Sequence, residues 1–216
     1  MKLSIQKEIS SISIVLIPFI YLLYIWNKLP EKVPVQWSLD GEINRYGSKL
    51  ELLLIPIVLP VLTYTIFILA PYIDPKGKIK NMGSKYNQLK ALVILLMTLM
   101  SLFILYNSKN QSTASPNYII PILGVLFIVF GNYFKTIKAN YFIGIRTPWT
   151  LENENVWKKT HTMAGKLWFI AGLIIVLGSV ILGPQNNLKF ALSITTLIVI
   201  IPLIYSYMVY KKGTTK

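Results

Sequence analysis

Apolar residues gather in six long runs, at about 10–26, 50–73, 89–106, 118–134, 166–182 and 188–210. Each run is near the ~20 residues that an α-helix needs to cross the hydrocarbon core of a bilayer. The pattern predicts an all-α integral membrane protein with six transmembrane helices in a single membrane domain over residues 1–216. Within it, an amino-terminal part (1–90) carries a polar cap at 27–49, and a carboxyl-terminal part (118–210) carries a polar loop at 135–166. Pro18, Pro56, Pro60, Pro121 and Pro202 fall inside the runs. Proline there kinks a helix and frees a backbone carbonyl.

The first long polar interruption, 27–49, reads NKLPEKVPVQWSLDGEINRYGSK. Pro30 and Pro34 rule out a helix at its start. Val33 to Trp37 alternates like a short strand, and Asp40-Gly41 is a hairpin turn signal. Ser48 with Glu51 forms a capping box that opens the second run. The segment should therefore be a short ordered hairpin between the first two helices. Pro34, Gln36, Trp37, Gly41 and Tyr46 are its candidate contact residues, either as a receptor surface or, for the aromatics, as interface anchors. The connection 107–117 is rich in Asn, Ser and Thr and predicts a loop.

The second long interruption, 140–168, reads NYFIGIRTPWTLENENVWKKTHTMAGKLW. Thr147-Pro148 is a helix start, because proline suits the first turn. Thr150 followed by Glu152 and Glu154 is a second. Beyond it, Trp157, Thr160, His161, Ala164 and Trp168 recur at helical spacing, and Lys158, Lys159 and Lys166 leave that stripe. The stripe predicts either a helix that sinks its tryptophans into the headgroup layer or a docking surface for a partner. Arg146, between an apolar tetrad and a turn, suits a carboxylate such as Glu152 or Glu154, or a lipid phosphate.

Charge adds an orientation. Sixteen of the 22 Lys and Arg residues fall in the tails and in the second and fourth connections, and six fall on the opposite side. By the positive-inside rule, both termini are cytoplasmic and the 27–49 hairpin is external. The net charge of +14 lies beside apolar runs, which favours membrane lipid as partner over direct nucleic-acid binding.

Chemistry narrows the function classes. One histidine and no cysteine leave no zinc-type ligand set, no thiol catalysis and no disulfide. No GxSxG elbow or phosphate loop occurs, and no cofactor is expected. No run holds an ionisable residue near its midpoint, and Glu8, Glu51 and Asp74 at run ends are explained by snorkelling or capping. The reading is therefore not an enzyme. A membrane enzyme using the His161 region, and an exporter or flippase-like transporter, stand as alternatives.

LPEKVPVQWSLDGEINRYGSK resembles the extracytoplasmic motif of a domain of unknown function, departing from it at Gln36, where histidine often precedes the tryptophan. The 140–168 stretch resembles the signature of the SdpI-like family, membrane immunity proteins of the sporulation-delaying-protein toxin system. The resemblance implies a multi-pass protein of the bacterial cytoplasmic membrane that protects its producer against a secreted toxin peptide. It also implies, for some members, capture of a cytoplasmic repressor protein at the membrane. The residues matching the signature are Tyr141, Gly144, Arg146, Thr147, Pro148, Trp149, Thr150, Trp157, Thr160, His161 and Gly165, a candidate partner or signalling surface.

Overall fold

The computed structural model describes residues 5–38, 42–75, 77–110 and 119–214. The chain is mostly helical. Helix α1 (Ile5–Ile25) leads into an antiparallel hairpin of β1 (Lys32–Trp37) and β2 (Ile43–Ser48). Then come α2 (Lys49–Ile73), α3 (Ser84–Asn110), α4 (Ile119–Phe134), the short α5 (Pro148–Glu152), α6 (Glu154–Ile181) and α7 (Pro184–Thr214). Among the described residues, five helices are long and apolar enough to cross a membrane: α1, α2, α3, α6 and α7. The expected fourth span is the shorter apolar α4, 16 residues long. Many large apolar side chains on these helices face outward, Leu23, Leu177, Val180 and Ile181 among them, as a lipid solvent permits.

The hairpin stands where the sequence puts it. Ser48 caps α2 in the predicted box with Glu51, and Glu51 also meets Arg45 at 2.9 Å. Val33 is fully buried and seats the hairpin on Leu22, Ile25, Leu29, Leu52 and Leu105. Ser108 ties it down further, donating to the carbonyl of Pro34 at 3.1 Å. The Asp40-Gly41 turn lies outside the described residues.

Three prolines inside helices share one solution. Proline has no N–H, so the carbonyl four residues earlier loses its helical partner. Pro18 frees Ile14, whose oxygen accepts from the Thr98 hydroxyl at 3.3 Å. Pro71 frees Phe67, whose oxygen accepts from the Tyr86 hydroxyl at 2.6 Å. Pro202 frees Ile198, whose oxygen accepts from the Trp168 indole at 2.9 Å. Each freed carbonyl meets a donor on a neighbouring helix, where none could come from lipid. Pro56 and Pro60, one turn apart, accompany a π-helical turn at Ile57–Val61.

Helices α4 and α6 pack at backbone contact. Gly131 faces Gly165 and Gly124 faces Gly172, one pair seven residues along from the other on each helix. A Cβ on Gly131 would stand 2.4 Å from the amide nitrogen of Phe169, and one on Gly172 would stand 2.5 Å from the carbonyl of Gly124. Small residues at such a seam let membrane helices approach and gain dispersion contacts. Helix α7 then closes over α6 through Ile175, Ala171, Ala191 and Ile198.

Two expectations need correction. The sequence reads Glu8 as a snorkelling or capping residue at a run end and counts Lys90 among the basic residues of the second connection. The structure instead buries them together between α1 and α3, with Nζ 2.5 Å from Oε1 and side chains only 4% and 13% exposed. Tyr64 of α2 donates its hydroxyl to the other carboxylate oxygen at 3.0 Å. The pairing explains their place better than snorkelling, because a buried charge needs a partner and hydrogen bonds. The loop expected from Asn107 starts later, since α3 runs to Asn110; residues 111–118 lie outside the described ones.

Candidate functional site

Residues 135–147 form an irregular connection between α4 and α5, and Asn140 organises it. Its side chain is fully buried. Its Oδ1 accepts from the N–H groups of Phe142 and Ile143, both at 2.8 Å. Its Nδ2 donates to the carbonyls of Lys138 and Ile143. An asparagine amide offers two donors and an acceptor oxygen, and all are used.

The turn then reaches α6. Gly144 adopts φ +113°, and a Cβ there would lie 2.4 Å from Nε2 of His161. Glycine therefore serves both the backbone conformation and the approach. The next residue, Ile145, donates its N–H to that same Nε2 at 2.9 Å. His161 must then carry its proton on Nδ1, which lies 2.8 Å from the carbonyl of Trp157. Both ring nitrogens are engaged and the imidazole is neutral. Its ring stacks on Trp157 at 3.9 Å, and Trp157 donates its indole N–H to the carbonyl of Ile137 at 2.7 Å.

Thr147 caps α5 as its Thr-Pro start predicts, and Thr150 completes the box. Thr150 also donates back to the carbonyl of Ile145 at 2.9 Å. The second helix start is one turn later than expected: Asn153, not Thr150, caps α6 by accepting from the N–H groups of Asn155 and Val156. Trp149 fastens α5 to α7, donating to the Ser206 hydroxyl at 2.8 Å and lying against Tyr207 and Tyr210.

The aromatic stripe therefore points inward. Trp157, Thr160 and His161 are buried on one continuous helix of 28 residues, and Trp168 packs among Phe127, Phe130 and Phe134. Tryptophans sunk in headgroups, and a partner docked directly on this stripe, are not what the structure shows: the stripe is the face α6 buries against α4. Of the signature residues, Thr147, Thr150, Trp157, Thr160, His161 and Gly165 are buried, and Gly144 and Trp149 half-buried. Tyr141, Arg146 and Pro148 are exposed. Arg146 pairs with neither Glu152 nor Glu154. It donates to the carbonyl of Tyr141 at 2.6 Å, and Glu154 forms its ion pair with Lys78 instead.

On the hairpin, Gln36 and Tyr46 are exposed, Pro34 is buried, and Gly41 lies outside the described residues. Trp37 is half-buried, and its indole N–H is shielded from solvent with no partner among the described residues. The two groups of candidates sit at opposite ends of the helices and are not brought together. Sequence reading missed Asn140, Gly124, Gly131 and Gly172. The glycines were legible as small residues at a seven-residue interval, whereas the role of Asn140 depends on a loop path that no periodicity reports.

A cleft of about 660 Å³ opens beside this clasp, between the α2–α3 connection, residues 135–139 and the first two turns of α6. Among the described residues, no three of His, Cys, Asp and Glu converge to hold a metal ion.

Residues 136–206 match the SdpI/YfhL protein family, and residues 13–59 match a Domain of unknown function (DUF1648). The chain is 29% identical over 208 residues to Immunity protein SdpI of Bacillus subtilis (strain 168), covering 96% of this chain and 97% of that protein. No solved structure matches. The resemblance read from the two motifs is thus upheld on both. With its apolar helices, the chain is a multi-pass protein of the bacterial cytoplasmic membrane.

Proposed function

We propose that this chain is an immunity protein that protects the bacterium making it against a secreted toxic peptide. The observation that carries the reading is the near-full-length similarity to Immunity protein SdpI. In this reading the chain is one six-helix membrane domain, with α4 as the remaining span and both termini in the cytoplasm. The basic asymmetry of the sequence supports that orientation.

The hairpin then faces outward, and the toxin meets it at Gln36, Trp37 and Tyr46. Gln36 offers an exposed amide to a peptide backbone, and Tyr46, half-exposed, offers aromatic surface beside the half-buried Trp37. The protein works by binding and not as an enzyme. His161 supports this, since an imidazole with both nitrogens committed to backbone groups has no free lone pair to act as a base. Repressor capture at the cytoplasmic end is a second reading. It is favoured by Arg146, whose exposed guanidinium keeps donors to spare beside the exposed Tyr141.

The test is survival of a sensitive bacterium expressing the chain, challenged with the sporulation-delaying toxin peptide and with culture supernatant of the source strain. Wild type should protect, and Trp37→Ala with Tyr46→Ala should lose protection at unchanged protein level. Absence of protection from both challenges overturns the reading. Protection that disappears with the ion gradient, while proteoliposomes fail to bind the peptide, points to an exporter instead.

A further inference from the structure

The cleft beside the clasp has a charge pattern that the immunity reading does not use. Four lysines line it: Lys78 from the α2–α3 connection, Lys135 and Lys138 from the segment after α4, and Lys158 from α6. A single acid, Glu154, lines it as well, and it is already committed to Lys78. Lys135, Lys138 and Lys158 are exposed and have no carboxylate partner among the described residues. Like charges held around one concavity repel, and the cheapest relief is an anion among them.

The floor is rigid. Trp157 and His161 reach the cleft from a stack whose polar atoms are all engaged by the surrounding backbone. The lysines therefore converge from three segments onto a fixed base, unlike lysines scattered along a helix face. Asn81 and Asn155 add amide groups at the rim, and the first turn of α6 adds the positive end of a helix. A volume of about 660 Å³ is too large for one inorganic ion and falls within the range of small-ligand sites.

We propose that this cleft binds a ligand bearing an anionic phosphate group. Ammonium groups on flexible stems suit phosphate oxygens, and basic pockets between helices at a membrane face commonly take lipid headgroups. Two sources carry this chemistry: the headgroup of an anionic phospholipid and a soluble phosphoanion. The site does not depend on which toxin is met at the hairpin.

The experiment uses the full chain purified in a neutral detergent. Its thermal unfolding is followed with inorganic pyrophosphate, with short-chain phosphatidylglycerol, and with short-chain phosphatidylcholine as a zwitterionic control. The variants are Lys135→Ala with Lys138→Ala, Lys158→Ala alone, and a charge-matched control, Lys85→Ala with Lys166→Ala, at exposed positions outside the cleft. Wild type and the control should show a saturable rise in Tm with an anionic probe, and the cleft variants should need at least ~tenfold more probe, as loss of charge-assisted hydrogen bonds predicts. A response to phosphatidylglycerol alone identifies the lipid, and one to pyrophosphate identifies the soluble source. No saturable response to either anion overturns the proposal. So does equal weakening in the cleft and control variants, which would mean net charge alone. Lys158→Ala, which leaves the 135–139 segment intact, serves if the double variant does not fold.

Discussion

Trp168 on α6 donates its indole N–H to the carbonyl of Ile198 on α7, the oxygen that Pro202 leaves without a helical partner. The two features are one device. The tryptophan would bury an unpaired donor without the carbonyl that Pro202 frees, and that carbonyl would be an unpaired acceptor without the tryptophan. Thr98 with Ile14 and Tyr86 with Phe67 repeat it elsewhere.

Trp168→Phe keeps the ring and removes the donor. It should lower stability by about 1–3 kcal/mol, the cost of a buried group left unsatisfied. Pro202→Ala restores a backbone N–H for Ile198, so the double variant should lose less than the sum of the two single ones. Unfolding titrations in mixed micelles measure the cycle; strict additivity would show that the indole bond carries no weight.

Gly144→Ala forces a side chain into a left-handed backbone and against His161. A loss of about 1–3 kcal/mol is expected from the strain alone. Gly183, between α6 and α7, meets nothing within 4 Å and has an ordinary φ, so Gly183→Ala should change stability little or raise it. The contrast is read by thermal unfolding of both variants.

Lys90→Ala strands the Glu8 carboxylate in the bundle, and removing one partner of a buried pair costs about 3–5 kcal/mol. Glu8→Gln with Lys90→Met keeps an acceptor for Tyr64 and takes out both charges, and should recover most of the loss. Expression level and unfolding of the three proteins decide it; a double variant no better than Lys90→Ala contradicts the pairing as the cause.

The chain has no cysteine, so a single introduced thiol reports its own side of the membrane. With the proposed orientation, Gln36→Cys should react with an impermeant maleimide in intact cells, and Lys159→Cys only after permeabilisation. Both positions are exposed on the protein. Reversed labelling would invert the topology and move the hairpin into the cytoplasm.

The elements were legible where one solvent decides them. A helix that faces lipid must be apolar where it crosses the hydrocarbon, so α2, the second half of α6 and the middle of α7 are written as runs, and Ser48 and Thr147 announce helix starts through side-chain chemistry. The interior of the clasp was not legible. Trp157 and His161 have the spacing of an amphipathic surface helix, and only α4 and the 135–147 segment lying against them make that face a core. The Gly131–Gly165 contact is what brings α4 there, and it depends on two residues 34 positions apart. Lys90 failed for the same reason: its partner Glu8 is 82 positions away.

Helix α6 has 28 residues and so measures about 42 Å at 1.5 Å per residue. The hydrocarbon layer of a bilayer is about 30 Å thick, and the polar layers bring it to about 40–45 Å. The helix is therefore as long as the whole membrane, headgroups included. Its carboxyl-terminal half is apolar to Ile181, and the surplus length falls at the other end, among Lys158, Lys159 and Lys166. In the proposed topology the stacked pair Trp157 and His161, enclosed by the 135–147 segment and not bathed in lipid, lies level with the headgroups. In that topology, thinning or thickening the bilayer by a few ångströms would slide that pair, and the cleft it floors, along the membrane normal relative to the phosphate plane.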